Sequence, residues 1–93
     1  MRYHIDTDKV VWRNLSGEAI ILNLETGHYY SLNKTGTLIW SLLCENKDSE
    51  EIIDRVVGKY RISKEKAKED MEALVALLEN VNLLLPKKPV HNE

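Results

Sequence analysis

The amino-acid sequence predicts an α+β domain in which a small three-stranded antiparallel sheet is followed by three helices. Three observations predict it. Up to Leu32 the apolar residues come in short strand-like runs, broken at Asn14, Ser16 and Gly17 and again at Glu25-Thr26-Gly27. After Leu32 the apolar period changes from two to about 3.6. Strands therefore precede helices without interleaving, which is the segregated order of an α+β domain.

Val10, Val11 and Trp12 form a short first strand, and Asn14, Ser16 and Gly17 suit a loop with unusual backbone angles. Ala19 to Leu24 is almost wholly apolar, and His28 to Leu32 is aromatic and alternating. Between them Glu25-Thr26-Gly27 supplies the glycine that a tight hairpin needs. Leu38, Ile39, Leu42 and Leu43 recur at helical spacing behind the caps Asn33 and Thr35, predicting a first helix of roughly two to three turns. Ser49 is the expected N-cap of a second helix, with Glu50 and Glu51 in its first turn and Ile52, Ile53, Val56, Val57 and Tyr60 on one face. That helix is expected to end near Tyr60.

Ser63 begins the last helix. Ala67, Met71, Leu74, Leu78 and Val81 trace one stripe along it, and Asp70, Ala73 and Leu77 trace a neighbouring one. The apolar arc is thus wider than a single contact requires. Leu83 to Leu85 close the core before Pro86 and Pro89 stop regular structure. The expectation is one domain over 1–93, with an ordered core over about 10–85 and a loose tail over 86–93. A small sheet backed by three helices resembles a winged helix-turn-helix.

A chain of 93 residues can bury roughly 60 to 65% of its unfolded surface in one core. Its 13 Lys plus Arg against 15 Asp plus Glu give a net charge of -2, without the positive field that draws a protein to nucleic acid or anionic lipid. The single Cys44 lies in an apolar run and reads as a small core hydrophobe in a reducing compartment. Met1 to Lys9 contains no apolar signal region, and no run approaches the ~18 apolar residues of a membrane span, so a cytoplasmic protein is expected. His4, His28 and His91 are dispersed, no glycine-rich phosphate loop or Gly-x-Ser-x-Gly elbow is present, and Glu65, Glu69 and Glu72 sit beside lysines at surface spacing. No catalytic residue, metal or cofactor is expected, and the chain does not read as an enzyme.

The run Leu22-Asn23-Leu24-Glu25-Thr26-Gly27-His28-Tyr29-Tyr30-Ser31-Leu32-Asn33-Lys34-Thr35-Gly36, continuing to Ile39-Trp40-Ser41-Leu42-Leu43, resembles the PqqD-like family. These are the precursor-peptide (RiPP) recognition elements of peptide-modification clusters. The wording is closer to stand-alone elements of the lasso-peptide type than to the founding protein of pyrroloquinoline quinone biosynthesis. The resemblance implies a sheet whose third strand lies at an open edge beside the last helix. It further implies that the leader segment of a ribosomally made precursor adds there as another strand, for delivery to a modifying enzyme or leader protease. The matching positions are His28, Tyr29, Tyr30, Ser31 and Leu32 for the edge, and Asp70, Ala73, Leu74 and Leu77 within the helical wall from Ser63 to Val81.

An unpaired edge suits that task because its N–H and C=O groups can be satisfied by a second extended chain. Five edge residues would span about 17 Å. About five main-chain hydrogen bonds at ~1 kcal/mol each barely exceed an association cost of at least ~4 kcal/mol. Micromolar binding requires about -8 kcal/mol, so side-chain pockets must supply the remainder. On hydrophobicity Tyr30 and Leu32, rather than Tyr29 and Ser31, are the pair expected to face inward, as lining or as scaffold. Leu74 suits core as readily as groove, Leu77 is the better groove candidate, and Trp40 is expected to be partly buried. Two other readings compete: a DNA-binding winged helix using Lys64, Lys66 and Lys68, which the following Glu69, Asp70 and Glu72 disfavour, and a homodimeric scaffold joined through edge strands.

Overall fold

The computed structural model describes residues 2–85 and has the segregated order expected. After a single 3-10 turn at Thr7–Lys9 come β1 (Val10–Leu15), β2 (Glu18–Asn23) and β3 (Tyr29–Ser31). The helices α1 (Lys34–Cys44), α2 (Ser49–Tyr60) and α3 (Lys64–Asn80) follow. The tail expected over 86–93 lies outside the described residues.

The strands form one antiparallel sheet in the order β1-β2-β3. Its register aligns Trp12, Ile21 and Tyr30 on the face toward the helices and Val11, Leu22 and Tyr29 on the other. β1 runs to Leu15, beyond the expected Val10–Trp12. The reason lies in its turn: Ser16 and Gly17 both have positive φ, 56° and 88°, and such a two-residue turn matches strand twist and lets the ladder continue to its end. Gly27, at φ 77°, allows the second hairpin to close by donating from its amide to the Asn23 carbonyl at 2.8 Å.

Each helix starts on a side-chain cap. The Asn33 side chain accepts from the Gly36 amide at 2.8 Å, and the Ser63 hydroxyl accepts from Lys66 at 3.0 Å. For α2 the cap is Asp48 rather than the expected Ser49. Asp48 has extended backbone and its carboxylate accepts from Glu50, so Ser49 becomes the first helical residue. The α2 chain leaves through Arg61 in the left-handed region, φ 55°.

α1 occupies the centre, packed against β2, α2 and α3. Ile21, Ile39, Leu43, Ile52, Val56, Leu78 and Leu83 are fully buried around it, each worth about 1.5 to 3 kcal/mol of transfer free energy. Trp40, expected to be partly buried, is wholly buried, because it points from α1 into the sheet layer and meets Trp12 edge to face at 5.9 Å. Val75, outside both stripes expected on α3, is buried as well. The packed region also begins before the expected residue 10. Ile5 is buried and bridges Leu84, while Asp6 donates to Leu83 at 2.8 Å and Leu85 donates to His4 at 2.8 Å. This two-sided pairing satisfies the backbone and covers Leu83. Among the described residues no helix is long and apolar enough to cross a membrane.

Candidate functional site

β3 is the terminal strand of the sheet and pairs only with β2 among the described residues. It is shorter than the expected edge His28 to Leu32, because each flanking pair keeps only one of its two ladder hydrogen bonds, the other amide turning to a threonine hydroxyl. The His28 amide donates to Thr26 Oγ1 at 3.2 Å and its carbonyl accepts from Asn23 at 2.9 Å. The Leu32 amide donates to the Ala19 carbonyl at 2.9 Å, and its own carbonyl accepts from Thr37 Oγ1 at 3.3 Å. Along an antiparallel pair, residues that exchange hydrogen bonds alternate with residues that do not. With His28 and Leu32 bonded toward β2, Tyr30 lies in the same phase opposite Ile21, and Tyr29 and Ser31 lie in the other. The N–H and C=O groups of Tyr29 and Ser31 therefore point away from the sheet.

The side chains follow the expected alternation. Tyr30 and Leu32 are half-buried against the core, whereas His28, Tyr29 and Ser31 are exposed, Tyr29 by 69%. Tyr29 belongs to the outer face of the sheet, with exposed Val11 and Leu15 and half-buried Ile20 and Leu22. A shallow depression of about 240 Å³ lies there.

Two polar residues absent from the sequence-based site hold this edge in place. Asn23 is fully buried: its Oδ1 accepts from the amides of Glu25 at 2.9 Å and Thr26 at 3.3 Å, and its Nδ2 donates to the Val81 carbonyl at 3.3 Å. One side chain thus shapes the hairpin and joins it to the end of α3. Thr37, also buried, stands where the ladder would otherwise close. Its hydroxyl accepts from the Ala19 amide at 2.7 Å and donates to the Leu32 carbonyl, linking α1 to both strands. The signal for Asn23 is an Asx residue two positions before the Glu25-Thr26-Gly27 turn. Nothing local marks Thr37, whose role depends on a strand eighteen residues away. Tyr60 adds a third tie, its hydroxyl donating to the Lys34 carbonyl at 3.2 Å.

Of the α3 positions, Leu74 is only 6% exposed and serves the core. Ala73 and Leu77 are at the surface, and Leu77 lies one turn before Val81, the residue that Asn23 holds. Asp70 is half-buried and bonded to Lys66 Nζ at 2.9 Å, a contact that raises the Lys66 pKa above its ordinary value. A ligand cation at Asp70 would have to displace that ammonium. Burial, and then the Glu45 carboxylate, push the Cys44 thiol up to about 11, so it is neutral and a poor nucleophile near pH 7.

The family model described as coenzyme PQQ synthesis protein D (PqqD) matches residues 18–84, from the start of β2 to the bridge at Leu84. Among solved structures, TbiB1 in complex with the TbiA(beta) leader peptide is 34% identical to this chain, covering 92% of it and 99% of TbiB1, with a TM-score of 0.80. A lasso peptide synthetase B1 complexed with its leader peptide covers 92% of this chain and 100% of its own, at 21% identity and a TM-score of 0.79, and shares the fold. A comparison with curated protein sequences finds no significant match.

Proposed function

The chain belongs to the PqqD family, and on that premise we propose that it is a non-catalytic RiPP recognition element of the lasso-peptide type. It binds the leader peptide of a ribosomally synthesised precursor as an added strand on β3, on the side of α3, and delivers it to a modifying enzyme or leader protease. The observation that carries this reading is the phase of the β3 ladder, which leaves the main-chain groups of Tyr29 and Ser31 directed outward at a sheet end. The relative at 34% identity, TbiB1, is itself a leader-peptide complex, which supports the same reading.

Two N–H and two C=O groups supply about 4 kcal/mol at ~1 kcal/mol per bond, no more than the association cost of at least ~4 kcal/mol. Affinity must therefore come from side chains, a role we assign to half-buried Tyr30 and Leu32 and to Ala73 and Leu77 on the surface of α3. The rival DNA reading is weakened by the engagement of Lys66 with Asp70 in a net-acidic chain. Calorimetric titration with the TbiA(beta) leader peptide tests the proposal. Micromolar binding that changes less than about threefold between 50 and 200 mM salt is expected, whereas duplex DNA contacts would weaken by orders of magnitude over that range. Absence of leader binding, or salt-sensitive DNA binding in its place, would overturn it.

A further inference from the structure

We infer that the leader is read on both faces of the sheet, with one leader side chain extending the apolar row Val11–Leu22–Tyr29 on the outer face. The inference rests on the strand-addition reading and adds a second specificity position to it. Sheet geometry gives the reason. Any strand laid along β3 sends successive side chains to opposite faces, and the residue aligned with Tyr29 must share the face of Tyr29.

That face is prepared for an apolar group. Val11 pairs with Leu22 and Leu22 with Tyr29, so three apolar side chains lie in line across the sheet. Leu22 and Tyr29 form a pair without mutual hydrogen bonds, the closer of the two spacings, with Cα atoms about 4.5 Å apart. Val11 is 53% exposed and Tyr29 69%, at the end of the row beside the free edge. The next position along is that of the added strand, about 5.5 Å beyond Tyr29 in a hydrogen-bonded pair. An aliphatic or aromatic leader residue there covers the Tyr29 ring; a carboxylate there would be set against an apolar surface. The following row, Arg13–Ile20–Ser31, lacks such continuity, because it starts on a charge and ends on a hydroxyl. One outer position, aligned with Tyr29, is therefore selected for apolar character.

The test is a set of titrations with the TbiA(beta) leader peptide and with its variants carrying Asp at each position in turn. Val11→Ser and Tyr29→Ser alter exposed side chains, and thermal unfolding checks that both variants fold. Each should weaken binding at least about fivefold, and one Asp-sensitive peptide position should lose its sensitivity in Tyr29→Ser alone, the mark of direct coupling. If both variants bind like the unaltered chain while Ser31→Pro abolishes binding, strand addition stands and the outer-face inference is wrong. If Ser31→Pro binds normally, strand addition fails and the inference fails with it. A change in sedimentation without a change in peptide affinity would assign the outer face to a second copy of the chain, and would also overturn the inference.

Discussion

The carboxamide of Asn23 donates to the carbonyl of Val81 across 3.3 Å, joining the hairpin that bears the terminal strand β3 to the C-terminal end of α3. The same side chain accepts from two turn amides. One buried amide thus ties the second hairpin turn to the end of α3, beside the core that Ile21 shares with Leu78.

Asn23→Ala leaves the Val81 carbonyl and two turn amides without that partner. At about 1 kcal/mol per lost bond it should destabilise the domain by about 2 to 3 kcal/mol. For a domain of this size the melting temperature should fall by roughly 10 °C or more, measured by calorimetry. Leader affinity should also fall at temperatures where the variant remains folded.

Thr37→Val keeps the shape and removes the hydroxyl between Ala19 and Leu32. Unless the two strands close the gap themselves, a buried amide is left unpaired, at about 1 to 3 kcal/mol. Thr37→Ser retains the hydroxyl and should lose less. Urea denaturation of the pair separates the hydrogen bond from the methyl group.

Proline can probe the ladder phase one residue at a time. Ser31→Pro deletes an outward N–H, which an edge strand tolerates, so unfolding should stay cooperative while leader binding is lost. Tyr30→Pro deletes an N–H directed at β2 and should cost about 1 to 3 kcal/mol of stability. Equal effects of the two on folding would show that the phase is assigned wrongly.

Leu77→Asp alters a side chain that is 37% exposed, one turn before Val81. Stability should fall by about 1 to 2 kcal/mol, because the side chain is partly buried and a carboxylate in the last turn of α3 opposes the helix dipole, with unfolding still cooperative. Leader affinity should drop about tenfold, the equivalent of 1.4 kcal/mol. Unchanged affinity would remove Leu77 from the groove.

Cys44 gives a pH signature. Its pKa rises from 9.0 to about 11 on folding, through burial and then the Glu45 charge. Since the unfolded thiol ionises first, this contribution to stability is present below about 9 and is lost as pH climbs to about 11. Cys44→Ala should lack that component when unfolding is compared at pH 8 and pH 10.5. In the folded chain the thiol should react slowly with iodoacetamide at pH 8.

The first hairpin turn, the cap Asn33, the start of the last helix at Ser63, the end of α2 at Tyr60 and the inward pair Tyr30 and Leu32 were all legible in the sequence, whereas Thr35, the other expected cap, lies inside α1. Each depends on chemistry within a few residues. The α2 cap was misplaced by one residue because Asp48 and Ser49 are both good caps, and only the backbone angles decide between them. Among the residues expected at the site, Leu74 and Leu77 lie on adjacent stripes of one helix, and which stripe the other elements cover is not a property of sequence spacing.

By itself, then, the sequence determined the order of elements, their turns and caps, and the set of residues able to be buried, because propensity and periodicity are local properties. Tertiary structure alone decided that Asn23 reaches Val81, that Ile5 joins the core through Leu84, and that Tyr29 and Ser31 present their main-chain groups outward. Those outcomes depend on which distant segments meet and in what register. Periodicity tells which face of an element a residue occupies, and only packing tells what, if anything, lies against that face.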